Sequence, residues 1–479
     1  MKTLLITNPD FVITLDKKRR VLRKAAIYLE DNKIVEVGSQ RKRADKVIDA
    51  SGMVVFPGFI NTHLHIPQVF HRHCPAQQNK PIAQWIKVTT SINREIDAEA
   101  AYYGALVCFS ELMLSGATTV LDYFYPFVKG KPGTMEAVIR AAKDIGVRFT
   151  CIRGSMSQSK KQGTLYEEDV VEDLETVLTH SQRMIEKYHD NRDYSMTRIG
   201  VGPCLPFSSI EEDYRETAKL ARKYQGVILQ THAAESAWEV EYCLKKFGVR
   251  PIGLMEKTGF LGPDVSLTHC NMVNKAEISL LGKTKTNVVV TPICNTRDAA
   301  DGNGIAPLTE LVKFGANISL GVDGPASNDS MNLQDEMRYF RIVSKAKEGL
   351  FWHGNDKAIN QAKFSYLQPM QVLEVANLGG AKTLNRNDIG AIEVGKAADL
   401  TIFDPDKEIS HAGAVNKWGA IMSCEPIKPK YLIVNGKVII ESGQIKTVKL
   451  DEVNKKFRKF HQQVLKKAQK RLQINLEDY

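Results

Sequence analysis

The chain has 479 residues, 43% of them hydrophobic and 25% charged, a composition that can bury a large core and excludes a disordered or fibrous chain. Its formal net charge of +10 raises the question of a nucleic-acid partner. The excess, however, lies in short runs (Lys17 to Arg20, Arg41 to Arg43) and in the segment Lys455 to Arg471, with no nucleic-acid motif beside it, so the expectation is a basic surface and no nucleic acid.

Residues 1–56 read as short strands separated by turns: LLITNPDFVITL, AAIYLEDNKIVEVGS with its Asp31-Asn32 turn, and VVFPG. The opening MKTLLITNPDFVITLD alternates like a strand and lacks the features of a signal peptide. Residues 57–390 alternate β-branched runs with helical patterns. The runs are VVFPGFINTHLH, TTVLDYF, RFTCIRGSM, RIGVGPC, GVILQTHAAE, VSLTHC, NVVVTPIC and ISLGVDG. Eight β/α units fit a closed α/β barrel of the (β/α)8 TIM type, in which catalytic residues project from the C-terminal ends of the strands. Residues 391–450 return to β texture, with TIFDPD and the Asn435-Gly436 hairpin of YLIVNGKVIIESG. The two ends together are expected to form one small β-sandwich. In 451–479 the positions Val453, Phe457, Phe460, Val464, Ala468 and Leu472 form an apolar stripe on a basic amphipathic helix. That helix packs on the protein's own body or on a second subunit; homo-oligomers are expected, as dimers or tetramers.

No run reaches the ~20 apolar residues of a membrane span, so no membrane partner is expected. The eight cysteines (Cys74, Cys108, Cys151, Cys204, Cys243, Cys270, Cys294, Cys424) include no C-x-x-C pair. They read as reduced thiols of a cytoplasmic protein.

Ionisable residues stand at the strand tips, where a core would want apolar ones. The first strand ends His63-Leu64-His65, and residues two apart in a strand face one way. The fifth ends Thr231-His232-Ala233-Ala234-Glu235, the sixth Thr268-His269-Cys270, and the eighth Gly321-Val322-Asp323-Gly324. Each residue alone could be a hydrogen-bonded core histidine or a capping aspartate; gathered at one barrel mouth they point to a metal site. A metal on His63, His65, His232 and Asp323 would lower the pKa of a water towards 7. Glu235 would shuttle a proton to a ring nitrogen or leaving group, Asp323 would take the water's proton, and His269 would stabilise the intermediate or join the ligands. His71 and His73 read as loop or pocket-rim residues. His180, His189, His353, His411 and His461 read as solvated.

These segments resemble the amidohydrolase superfamily, in the branch of cytosine, guanine and 8-oxoguanine deaminases, S-adenosylhomocysteine deaminases and triazine hydrolases. The resemblance rests on PGFINTHLHIPQVF, ELMLSGATTVLDYF, THAAES, GFLGPDVSLTHC, GIAPLTELVKFGANISLGVDGPASNDSMNL and DIGAIEVGKAADLTIFD, which follow in the family's order over nearly the whole chain. It implies one divalent metal per chain on His63, His65, His232 and Asp323 (zinc, with iron the alternative), and Glu235 and His269 as the catalytic pair. Pro203-Cys204 stands where a carboxylated lysine would hold a second metal. Gln68 and Arg153 resemble pocket residues of the 8-oxoguanine deaminase and hydroxytriazine hydrolase subgroup. The seventh-strand segment departs from the branch: Thr291 replaces its histidine and Cys294 its serine, while Asn295 is kept. Gln68, Trp85, Tyr123, Arg153, Cys204 and Asn295 are expected to meet a flat substrate ring, with Asp122 an alternative partner for Arg153.

The expected activity is deamination of a small nitrogen-rich heterocycle: a purine such as 8-oxoguanine or guanine, a pterin, a pyrimidine or an s-triazine. One alternative is loss of an alkylamine or halide at the same site. An alternative of another class is a non-catalytic scaffold barrel.

Overall fold

The computed structural model describes residues 2–38, 43–297, 304–352 and 367–478. His353 lies outside these residues, as do Arg41 and Lys42 of the second basic run. Eight strands form one sheet in sequence order, from Phe59–Asn61 through Ala117–Phe124, Arg148–Ser155, Thr197–Pro203, Leu229–Ala233, Val265–His269 and Asn287–Val290 to Asn317–Leu320. Every neighbouring pair in it is parallel. The sheet closes on itself: Thr62 N donates to Leu320 O at 3.0 Å, His65 N to Asp323 O at 2.9 Å and Asp323 N to His63 O at 3.2 Å. The (β/α)8 barrel expected from the sequence is therefore present.

Local chemistry sets the helices between the strands. Asp97 accepts from Ala100 N at the start of helix Ala98–Leu114, Asp173 from Thr176 N before Leu174–Tyr188, and Ser236 from Glu239 N before Ala237–Phe247. Strand residues such as Val120, Phe149, Val201 and Leu229 join helix residues such as Phe109, Ile185 and Tyr214 in one continuous core.

The expected first strand, VVFPGFINTHLH, divides at Pro57 and Gly58. Val54–Pro57 pairs antiparallel with Leu400–Phe403 outside the barrel, and only Phe59–Asn61 enters it. Gly58 permits the crossing, because a Cβ there would lie 2.1 Å from Thr118 Oγ1. Val54–Pro57 belongs to a seven-stranded sheet that takes strands from both ends of the chain. A four-stranded sheet built from Thr3–Thr7, Ile27–Glu30, Lys33–Val37 and Lys46–Asp49 packs against it through Leu4, Ile6, Ile27, Val55, Leu400 and Ile402. Arg148 of the third barrel strand clamps this unit to the barrel. Its Nε and Nη2 meet Asp399 Oδ2 and Oδ1 at 2.8 and 2.9 Å, with both side chains buried.

Helix Leu450–Leu472 lies on the protein's own body. Phe457 packs on Phe70 with ring centroids 5.1 Å apart, and Phe460 stacks on Tyr103 at 5.6 Å. No helix among the described residues is long and apolar enough to cross a membrane.

Candidate metal centre and catalytic pocket

Four buried side chains converge at the barrel mouth. His63 Nε2 lies 3.1 Å from His65 Nε2, which lies 3.0 Å from His232 Nε2. Asp323 Oδ1 is 3.2 Å from His63 Nε2 and 3.3 Å from His65 Nε2.

The second nitrogen of each ring is engaged by an oxygen that accepts. His65 Nδ1 donates to Tyr123 O at 2.9 Å, His232 Nδ1 to Cys204 O at 2.8 Å and His63 Nδ1 to Gln230 Oε1 at 2.8 Å. The Gln230 amide has one orientation, because its Nε2 donates to Thr62 O at 3.1 Å and to Ser266 Oγ at 2.9 Å. The ring hydrogens thus sit on Nδ1, and three Nε2 lone pairs face one another. Burial holds His63 down to about 4, and burial with the neighbouring imidazoles holds His232 well below its usual value. Burial pushes Asp323 up, but the closeness of the His63 and His65 rings outweighs it and keeps this carboxyl well below its usual range. The same carboxylate draws His65 upward against its burial. Asp323 Oδ1 has no hydrogen-bond partner among the described residues. Lone pairs and an anion pressed together with no hydrogen between them repel, and a divalent cation is what this donor set fits. His63, His232, His269 and Asp323 also offer ligand atoms that all lie within 4.8 Å of one another, so His269 borders the same point.

His269 Nε2 is 3.6 Å from Glu235 Oε1, and its Nδ1 lies 3.1 Å from Thr291 Oγ1 and 3.0 Å from Asn295 Oδ1. Ala234, His269 and Asp323 hold left-handed backbone, with φ of 53°, 76° and 60°. Such strain at non-glycine residues, about 1–3 kcal/mol each, collects at functional sites.

The cavity beside this cluster is lined by Gln68 and Trp85, and also by Ile82, Ile86, Tyr125, Tyr166, Leu205, Phe207, Ser236 and Glu239. Its carboxylates are Glu235, Glu239 and Asp323, and no lysine or arginine lines it among the described residues. Glu239 accepts from Ala234 N and Glu235 N at 2.9 and 2.8 Å, and burial pushes its carboxyl up to about 8. Gly324 makes room for Gln68, since a Cβ there would lie 2.0 Å from Gln68 Oε1.

Four residues expected to meet the substrate do not line this cavity. Ile152 packs inside the barrel with Leu121 and Tyr123, so Arg153, one position on, points outward to the helices. There Arg153 bonds both oxygens of Glu172 at 2.7 Å, donates to His180 Nδ1 at 3.1 Å and lies over the Phe127 ring; Glu172, not Asp122, is its partner. Tyr123 gives its hydroxyl to Gly202 O at 2.6 Å and supports the His232 ring from below. Cys204 contributes its carbonyl to His232 while its thiol stays buried. Asn295 holds the His269 ring.

Several histidines read as solvated or as rim residues are packed instead. His71 is 2% exposed and bonds Gln77 Oε1 at 2.9 Å, and His411 is also buried. His180 accepts from Arg153, His189 bridges Ile199 and Gln225, and His461 lies against Phe70 and Phe457. Among the described residues only His73 matches the exposed reading, facing Asp329 at 3.5 Å.

A model of the Amidohydrolase family matches residues 54–439. The chain belongs to that family. The amidohydrolase is 33% identical over 428 residues to an 8-oxoguanine deaminase of Pseudomonas aeruginosa, covering 88% of this chain and 91% of that protein. It is 29% identical over 464 residues to a hydroxydechloroatrazine ethylaminohydrolase of a Pseudomonas species, covering 93% and 92% of the two chains. Among solved structures, the zinc complex of the atrazine chlorohydrolase TrzN from Arthrobacter aurescens superposes with a TM-score of 0.88 at 26% identity, over 96% of this chain and all of that one. The amidohydrolase is thus a hydrolase whose relatives are deaminases and triazine hydrolases.

Proposed function

We propose that this amidohydrolase is an aminohydrolase that releases ammonia from a flat, nitrogen-rich heterocycle. The observation that carries the reading is the convergence of three Nδ1-protonated imidazoles and the ionised Asp323 on one point, beside the Glu235–His269 pair. His63, His65, His232 and Asp323 would hold the metal, one zinc per chain, consistent with the zinc in the similar structure. A divalent ion there supplies the Lewis acidity that makes water nucleophilic at neutral pH. Ser327 holds Asp323 Oδ2 at 2.5 Å, leaving Oδ1 to take a proton from the attacking water. The Glu235 carboxyl gives its proton to a ring nitrogen and recovers one from the new hydroxyl as the carbonyl forms, while the proton held by Asp323 goes to the departing amine, which leaves as ammonia. Trp85, Tyr125 and Phe207 offer aromatic walls for a planar ring. Gln68 brings its amide to the cavity beside Ser327, 3.2 Å from its Oγ, where it can meet a donor or an acceptor of the ring. A lining that among the described residues has carboxylates and no lysine or arginine favours an unphosphorylated ring such as 8-oxoguanine, guanine, a pterin or an aminotriazine. Eight free cysteines fit a reducing, cytoplasmic setting.

A second reading, loss of an alkylamine, is favoured by the apolar patch of Ile82, Ile86 and Leu205, which suits an alkyl substituent. The test is ammonia and alkylamine release from guanine, 8-oxoguanine, isoxanthopterin, cytosine, isocytosine and alkylaminotriazines by zinc-loaded protein. Ammonia from one of these rings supports deamination, and ethylamine alone replaces it with the second reading. Silence on every ring with zinc bound removes both.

A further inference from the structure

A row of side-chain amides joins the main chain of Glu235 to the ring of His269. Asn271 Nδ2 donates to Glu235 O at 3.2 Å, and Asn295 Nδ2 donates to Asn271 Oδ1 at 2.9 Å. Asn295 Oδ1 then faces His269 Nδ1 at 3.0 Å and receives the Thr291 hydroxyl at 3.1 Å. Asn271, Asn295 and Thr291 are all buried, so water does not substitute for these links.

The first link sets the direction of the rest. A peptide carbonyl only accepts, so Asn271 must turn its NH2 towards Glu235 and its oxygen towards Asn295. Asn295 must then give its NH2 to Asn271 and its oxygen to His269. A ring nitrogen that faces an amide oxygen carries the hydrogen. His269 Nε2 is left without one, and it is this atom that faces the Glu235 carboxyl at 3.6 Å.

We propose that Asn271 is a positioning residue: through Asn295 it fixes the Nδ1–H tautomer of His269, and through the Glu235 carbonyl it holds the two proposed catalytic groups face to face. Glu239 grips the N–H groups of Ala234 and Glu235, so the segment is held on its other side as well. Neutral His269 then presents only a lone pair at Nε2 to the Glu235 carboxyl, so of the two groups only Glu235 can donate a proton. The catalytic roles rest on the function proposed above; the tautomer does not.

The experiment is 15N NMR of histidine-ring-labelled, zinc-loaded protein, with the His269 signals identified by their loss in His269→Asn. Wild type is expected to show a protonated Nδ1 and an unprotonated Nε2. In Asn271→Ala the Asn295 amide is free to turn over, and the His269 signals should move towards a mixture of tautomers while those of His63, His65 and His232 stay in place. Asn271→Asp still accepts from Asn295 and should keep the wild-type tautomer, although its oxygen now repels the Glu235 carbonyl. On a substrate found by the ring panel, both variants should lose on the order of tenfold in kcat with KM little changed. Wild-type His269 protonated at Nε2 would overturn the proposal, as would identical spectra for wild type and Asn271→Ala. Joint movement of all four imidazoles, or the same tautomer change in Asn271→Asp, would mark general disruption and overturn it too. The spectra need no substrate, so failure of the deaminase reading leaves this result standing.

Discussion

Gln230 Oε1 and His63 Nδ1 lie 2.8 Å apart, joining the fifth barrel strand to the segment that follows the first. The rest of the amide is bound by Thr62 O and Ser266 Oγ, so it is held as an acceptor. Gln230→Leu keeps much of the volume and leaves His63 Nδ1 only Thr268 Oγ1, at 3.3 Å. Zinc affinity, measured by chelator competition, should fall by about 10–100-fold. An unchanged affinity would show that the Gln230 amide is not needed to hold the tautomer of His63.

Glu235→Gln keeps the shape of the side chain and removes its proton. Turnover of a deaminated ring should drop by about 10²–10⁴-fold with zinc content unchanged. Loss of zinc together with activity would make Glu235 a ligand and not a proton carrier.

Arg153→Met separates packing from recognition. The Arg153–Glu172 pair is buried, with side chains 0% and 13% exposed, and losing one partner leaves a charge stranded. Urea unfolding should show a loss of about 3–5 kcal/mol, while the KM of the folded enzyme stays within about twofold. A large rise in KM at unchanged stability would return Arg153 to the substrate.

His71 gives a pH dependence. Burial holds it down to about 4 from an ordinary 6.5, and its Nε2 has no hydrogen-bond partner among the described residues. Between these two values the unfolded chain binds a proton that the folded chain refuses. Stability therefore rises with pH across this window and is lost as pH falls from 6.5 towards 4, by on the order of 3 kcal/mol. His71→Gln should flatten that limb in unfolding curves taken across the window. Parallel curves for wild type and variant would rule His71 out as the titrating group.

The strand tips were readable because two-residue alternation places His63 and His65 on one side, and because a polar residue ending a β-branched run has few structural uses. Facing was harder to read. Arg148–Ser155 is buried along its whole length, so no polar face tells which side looks into the barrel, and the strand-end position of Arg153 points to the mouth although the side chain serves the helix layer. Tyr166 lies in an irregular stretch between the short turn Lys160–Gln162 and helix Leu174–Tyr188, where no period signals a cavity wall. His71 looked like a loop residue because nothing local shows that Phe457 and His461, almost four hundred residues away, cover its neighbour Phe70. Tyr125 had a weak signal, two positions beyond Tyr123, and its ring stands 5.0 Å from that of His65.

The antiparallel pairing of Val54–Pro57 with Leu400–Phe403 also governs how the polypeptide acquires its shape during synthesis. The early strand leaves the ribosome with its mate still unmade, and Arg148 likewise waits for Asp399. The nascent protein carries an open edge through the making of the entire barrel, a template on which a second unfinished copy could dock. Slowing translation between these segments should therefore favour aggregation, and shielding of that edge by chaperones should matter more for yield than any gain in the stability of the finished enzyme.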